Sequence, residues 1–248
     1  MPLISIEDIF VAYGTPPRAV LAGVNIEIEE GEFVCLLGQT GCGKSTLLRL
    51  VLGSEHPMRG RILIDGREHR QPDCTRGYVP QRYSLFPDRT VLDNITFGPM
   101  MEQPWYRRRS KELRDEAYSY IKRIGLRETD ATKYPHQLSG GMQQRVAIAQ
   151  ALINRPRILL MDEAFSALDS GTRREMQSLV RDLWKATGTT ILFVTHNIDE
   201  ALRLGTRVLV LAKEAPDQGS RVAMDLEVPD PCTEEAIPPL VHRLEQAS

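Results

Sequence analysis

The chain of 248 residues is 42% hydrophobic, enough for one large α/β domain or two modest ones around a substantial core. Its 31 Lys and Arg stand against 33 Asp and Glu, a net charge of -2, so no global basic charge argues for a nucleic-acid partner. Cys35, Cys42, Cys74 and Cys232 form neither a CxxC metal pattern nor a disulfide framework, which fits a reducing cytoplasm. Glu7 and Asp8 stand where a signal peptide would carry basic and then apolar residues, and no apolar run approaches the roughly 18 residues of a membrane span. Any membrane role is therefore expected to be peripheral.

In chain order, Leu3 to Val11 and Val20 to Glu29 read as strands of an antiparallel flank, separated from their neighbours by Gly-containing turns. Phe33 to Leu37 is a continuous apolar run, the pattern of a parallel strand covered on both faces; Ile158 to Met161 and Ile191 to Val194 read the same way. Arg61 to Ile64 followed by Asp65-Gly66 reads as a hairpin strand. Helical spacing joins Leu113, Ala117, Ile121 and Ile124, then Met142, Val146, Ala149 and Ile153, then Met176, Val180 and Leu183. The expected organisation is one α/β domain over 1–248. It comprises a catalytic core with its β flank at 1–83 and 155–212, an inserted helical subdomain at 84–154, and an appendage at 213–248. The last 33 residues hold five of the sixteen prolines, which is why the tail is read as loosely packed.

Gly38-Gln39-Thr40-Gly41-Cys42-Gly43-Lys44-Ser45-Thr46 follows the first buried strand and opens a helix. A backbone can wrap a triphosphate only if its amides point inward and no Cβ blocks close approach, which accounts for Gly38, Gly41 and Gly43. The helix N-terminus adds a positive dipole end, Lys44 can reach the β- and γ-phosphates, and Ser45 offers a hydroxyl to Mg²⁺. Thr46 is expected to steady the same helix end, and Cys42 is read as small filler. Ile158-Leu159-Leu160-Met161 runs into the adjacent carboxylates of Asp162 and Glu163. Neighbouring strand residues point to opposite sides, so Asp162 suits Mg²⁺, through water, and Glu163 suits polarising an attacking water. His196 ends the next buried strand, on the same carboxyl edge of the sheet, and could sense a γ-phosphate. Gln81, after Gly77-Tyr78-Val79-Pro80, could contact Mg²⁺ or its water and withdraw when its loop moves.

Leu138-Ser139-Gly140-Gly141-Met142-Gln143-Gln144-Arg145 matches a family signature, and on it the chain resembles the ATP-binding subunits of ABC transporters from about Leu3 to Leu211. The resemblance implies a P-loop ATPase fold with a mostly parallel sheet, an antiparallel β flank and a helical subdomain. Ser139 and the amides of Gly140 and Gly141 would form a second anion-binding helix end. In the family this end completes the site of a partner subunit in a head-to-tail dimer that sandwiches two ATP molecules. Tyr13 resembles the aromatic that stacks on adenine, Gln81 the Q-loop residue and His196 the H-switch. Ser166-Ala167-Leu168-Asp169 resembles the D-loop at the dimer interface.

The implied partners are a second ATPase subunit, transmembrane permease subunits and a periplasmic or extracellular substrate-binding protein, with no nucleic acid. The implied location is the cytoplasmic face of the inner membrane. The resemblance also implies a permease groove near Gln81, formed by Tyr83 to Val91 and the helical subdomain. Leu85-Phe86-Pro87 and Thr90-Val91-Leu92-Asp93-Asn94 are similar to the nitrate, sulfonate and taurine importer group, although Pro80 and Arg82 depart from that group's Phe and acidic residue around the glutamine. Exporters and lipid movers share the free-standing arrangement. A chromosome or repair ATPase would need coiled coils between Lys44 and Met161, where no heptad array occurs, and a module without turnover should lack a base such as Glu163. Trp105-Tyr106-Arg107-Arg108-Arg109 is read as a solvated helix face, because Glu112, Asp115 and Glu116 follow.

Overall fold

A computed structural model describes residues 1–81, 84–102, 111–213, 215, 218–229, 239–242 and 244. The expectations placed on Arg82, Tyr83, Cys232 and the Trp105–Arg109 patch lie outside these residues. Strands β1 (Ile4–Tyr13), β2 (Arg18–Ile28), β4 (Arg59–Ile64) and β5 (Arg67–Glu68) form an antiparallel sheet in the order β2-β1-β4-β5. The second sheet takes β3 (Phe33–Leu37), β6 (Arg76–Val79), β7 (Ile158–Asp162), β8 (Thr190–Val194), β9 (Arg207–Ala212) and β10 (Arg221–Glu227) in the order β10-β9-β3-β8-β7-β6. All its pairings are parallel except that of β10 with β9.

Because side chains alternate along a strand, β3, β7 and β8 supply both faces of the sheet. Phe33, Cys35, Leu37, Leu159, Met161, Ile191 and Phe193 enter one buried cluster. That cluster also takes residues from α2 (Val91–Glu102), α3 (Lys111–Arg123), α4 (Gly140–Leu152), α5 (Ser170–Thr187) and α6 (Ile198–Leu204). Val34, Leu36, Leu160, Leu192 and Val194 enter the other, together with α1 (Lys44–Leu52) and the inner face of the antiparallel sheet. Helix α1 therefore lies on the opposite side of the parallel sheet from α4. The described part of 84–154 carries α2, α3, α4 and two 3₁₀ turns, at Glu128–Thr132 and Pro135–Gln137, and no strand.

The tail departs from expectation, since residues read as a loosely packed appendage supply β10, and Leu226 and Val228 are buried. Apart from Ala223, Arg221-Val-Ala-Met-Asp-Leu-Glu227 alternates polar and apolar residues, a period-two signal that the neighbouring prolines obscure. Pairing there satisfies the backbone groups that the outer edge of β9 would otherwise leave bare. Two core helices, α6 and the first part of α2, also form where no helical spacing is evident, since each is short or Pro-interrupted and takes its stability from packing.

Candidate functional site

The carboxyl edge of the parallel sheet gathers the loops after β3, β6, β7 and β8. After β3, Gly38 takes φ 150°, and a Cβ there would lie 2.4 Å from the Leu211 carbonyl and 2.6 Å from Cys42 Sγ, so the backbone has closed against its neighbours where any side chain would prop it open. Gly43, left-handed at φ 98°, precedes α1 and leaves the first amides of that helix facing the loop. Lys44 is almost fully buried and folds back over this cup, its Nζ donating to the Gly38 carbonyl at 2.7 Å and the Gln39 carbonyl at 3.0 Å. The ammonium is thus tied to the start of the loop, with Cys42 Sγ 3.9 Å away. Thr46 is buried one turn in, and its hydroxyl accepts from Arg49 at 3.4 Å.

Ser45 Oγ donates to Asp162 Oδ1 at 3.0 Å, bringing together two residues 117 apart in the chain. Burial holds the Asp162 carboxyl above its ordinary range, and the Ser45 hydrogen bond works in the other direction. A desolvated carboxylate beside a hydroxyl, at the mouth of a phosphate-type loop, is the oxygen donor set a hard divalent cation takes, so the residues present fit Mg²⁺. Tyr78 within β6, which belongs to no motif, approaches Asp162 Oδ2 with its hydroxyl at 3.5 Å.

Glu163 sits one residue beyond β7 at φ 43°, a left-handed conformation that costs a non-glycine residue about 1–3 kcal/mol. Its amide donates to the Val194 carbonyl at 3.0 Å and its carbonyl accepts from Ser166 N at 3.0 Å, which fixes the bend. The side chain is then bracketed: Gln81 Nε2 donates to Oε2 at 2.9 Å, and His196 Nδ1 lies 3.6 Å from Oε1. Three candidates separated by 82 and 33 residues (163 minus 81, and 196 minus 163) thus converge on one carboxylate.

The other candidates lie elsewhere. Tyr13, at the end of β1 and 44% exposed, donates its hydroxyl to Glu55, which pairs with Arg49 of α1 at 2.8 Å. The aromatic ring is thereby tied to the helix that follows the loop. Ser139 caps α4, its Oγ accepting from Met142 N at 3.3 Å, and Gly140 and Gly141 form the first turn. A Cβ on Gly141 would lie 2.6 Å from Thr172 Cγ2, so α4 and α5 start side by side. Asp169 caps α5 by accepting from Gly171 N and Thr172 N, each at 3.1 Å; the amide of Thr172 is the first cause that lowers its carboxyl below the usual range. Both caps lie in the helical layer, across the sheet from α1.

A glycine-rich loop between a buried parallel strand and a helix, with Ser45 and Asp162 adjacent and Glu163 bracketed by two polar side chains, defines a P-loop nucleoside-triphosphatase. Residues 21–166 match the family model for the ABC transporter domain, and the chain belongs to that family as an ATP-binding ATPase. It is 44% identical over 226 residues to an uncharacterised ABC transporter ATP-binding protein of Methanocaldococcus jannaschii, covering 91% of this chain and 82% of that one. It is 46% identical over 200 residues to a taurine import ATP-binding protein of Rhizobium johnstonii, covering 81% and 74%. A solved ATP-binding cassette, described as a dimer in a post-hydrolysis state bound to ADP and Pi, aligns with TM-score 0.77 and 32% identity over 91% of this chain and 99% of that one. Proteins named for import of aliphatic sulfonates, nitrate and bicarbonate are also among the relatives, as is one named for spermidine and putrescine import. Among the described residues, no helix is long and apolar enough to cross a membrane.

Proposed function

We propose that the chain is the ATP-hydrolysing motor of an importer, working as two copies arranged head to tail on the cytoplasmic face of the membrane. The observation that carries this reading is the layering: the phosphate-type helix end of α1 and the Ser139 end of α4 are on opposite sides of one sheet. One chain offers a triphosphate only half of its grips, and a two-fold axis brings Ser139 of one copy to Lys44 of the other. Tyr13 supports the adenine, the loop amides and Lys44 take the phosphates, and Ser139, Gly140 and Gly141 close over them from the second copy. Mg²⁺ held by Ser45, Asp162 and Gln81 would screen the phosphate charge. Glu163 takes a proton from the attacking water, and His196, beside it, contacts the γ-phosphoryl oxygens. Asp169 lies where the copies meet. Hydrolysis removes the bridging charge and the copies part.

Force leaves through a permease. A groove of about 500 Å³ lies between β6 and α2, lined by Cys74, Tyr78, Ser84, Phe86, Phe97 and Asn154 among others. Phe86 and Phe97 pack with ring centroids 4.5 Å apart, and Arg89 lies 4.5 Å from the Phe97 centroid. Such an aromatic wall next to the loop of Gln81 suits a short helix of a membrane partner. Phe86→Ala is expected to weaken assembly with the permease about tenfold or more while ATP binding by the chain stays unchanged. Co-purification from membranes and nucleotide titration check the two halves.

The cargo reading is a nitrate-, sulfonate- or taurine-like anion, supplied by a periplasmic or extracellular binding protein. Its support is the set of relatives named for such anions; the polyamine relative and the Pro80 and Arg82 departures weigh against it. Export or lipid movement is the second reading. Isolating the intact complex and assaying its binding protein with taurine, nitrate, bicarbonate and spermidine decides between them.

A further inference from the structure

Glu200 on α6 is 6% exposed, and a carboxylate is expensive to bury unless its oxygens are used. Both are used by neutral groups: Oε2 accepts from the Thr195 hydroxyl, and Oε1 accepts from Gln177 Nε2 of α5 at 3.0 Å. The same residues close a ring around the turn that carries His196. Thr195 Oγ1 accepts from Asn197 N at 3.1 Å, and Asn197 Oδ1 accepts from Glu200 N at 3.0 Å. His196 is the residue between Thr195 and Asn197, so the ring fixes its backbone while its side chain stays exposed near Glu163.

The link to Gln177 extends this turn into α5. A second clamp follows one turn on, where Arg181 Nη1 donates to the carbonyls of Arg203 and Leu204 at 2.9 and 2.7 Å. At its other end α5 holds the segment after Glu163: Asp169 caps the helix, and Arg173 donates to the carbonyls of Leu168 at 2.8 Å and Phe165 at 3.3 Å. A cavity of about 30 Å³, large enough for a water, lies among Glu163, Ser166, Arg173, His196 and Glu200. The two loops that flank it are therefore carried by one braced helix pair.

We propose that Gln177 and Glu200 are positioning residues that, by bracing the 195–197 turn against α5, set His196 in register with Glu163. The proposal rests on the reading that His196 acts on the γ-phosphate. It is tested by single-turnover and steady-state ATP hydrolysis with the full chain, ATP and Mg²⁺, in a cycle of parent, Gln177→Leu, His196→Ala and the double variant. Gln177→Leu is expected to lower kcat roughly tenfold with KM for ATP within about twofold, since a small misplacement of a catalytic group costs up to about a hundredfold. In the His196→Ala background the same change is expected to do nothing further.

Losses that multiply in the double variant overturn the proposal and leave the role of His196 standing. A His196→Ala variant with parental turnover overturns the reading of His196 itself, and the proposal with it. Where Gln177→Leu does not fold, Glu200→Gln serves, because its carboxamide can still bond both Thr195 and a flipped Gln177. It is expected within about threefold of parental kcat, against roughly tenfold loss for Glu200→Ala, and a tenfold loss in Glu200→Gln overturns the proposal.

Discussion

Glu163→Gln is expected to bind ATP as the parent does and to hydrolyse it about 10² to 10⁴ times more slowly, the usual contribution of a positioned general base. The substitution is nearly isosteric. A carboxamide at this position can still accept from Gln81, whose Nε2 lies 2.9 Å from Oε2, and the backbone bonds of Glu163 to Val194 and Ser166 do not involve its side chain. Only the capacity to take a proton is lost. The left-handed φ of 43° is unchanged as well, so a loss of activity would not trace to relaxation of the strained turn. Because ATP is then bound and not consumed, the variant should accumulate as a dimer under ATP, visible by light scattering. Parental turnover in this variant would remove Glu163 from the mechanism.

Lys44→Ala is expected to weaken ATP binding by about 10- to 100-fold, in line with roughly 1.5–3 kcal/mol for hydrogen bonds to a charged group. The ammonium that donates to Gly38 and Gln39 is the positive charge tied to the start of the loop, and the alanine leaves those two carbonyls facing the phosphates. The same variant tests the arrangement of copies. Ser139→Phe is expected to keep the start of α4 from meeting the ATP of the one composite site it belongs to, and each variant alone should be nearly inactive. In a mixed dimer both defects fall in one composite site, and the other site pairs an intact Lys44 with an intact Ser139. Equal mixing should therefore restore turnover to roughly a quarter of the parental level, since about half the dimers are mixed and each keeps one of two sites. A mixture as inactive as its components would mean that each chain hydrolyses ATP without the other.

Both experiments depend on residues that are legible in the sequence. The loop from Gly38 to Thr46, the acid pair at Asp162 and Glu163, and the segment Leu138 to Arg145 are contiguous, and contiguous motifs carry their chemistry in their spacing. Buried parallel strands were equally plain, because Phe33 to Leu37, Ile158 to Met161 and Ile191 to Val194 are unbroken apolar runs. Strand β10 was hidden for the opposite reason: its alternation is short and stands among prolines, and its partner β9 is reached only by folding. Tyr78, Gln177 and Glu200 had no local signal at all. Each is an ordinary polar residue outside any motif, and its significance comes from what packs beside it.

The buried parallel strands, the identity of the phosphate loop and the pairing of an acid with a following base candidate were determined by the sequence alone, since each is a local pattern of backbone freedom, burial and charge. Only the tertiary structure decided that Gln81, Glu163 and His196 meet on one carboxylate, and that α1 and α4 sit on opposite faces of the sheet. The physical reason is that strand order β9-β3-β8-β7-β6 and the alternation of side chains along each strand are set by long-range pairing, which no window of neighbouring residues contains.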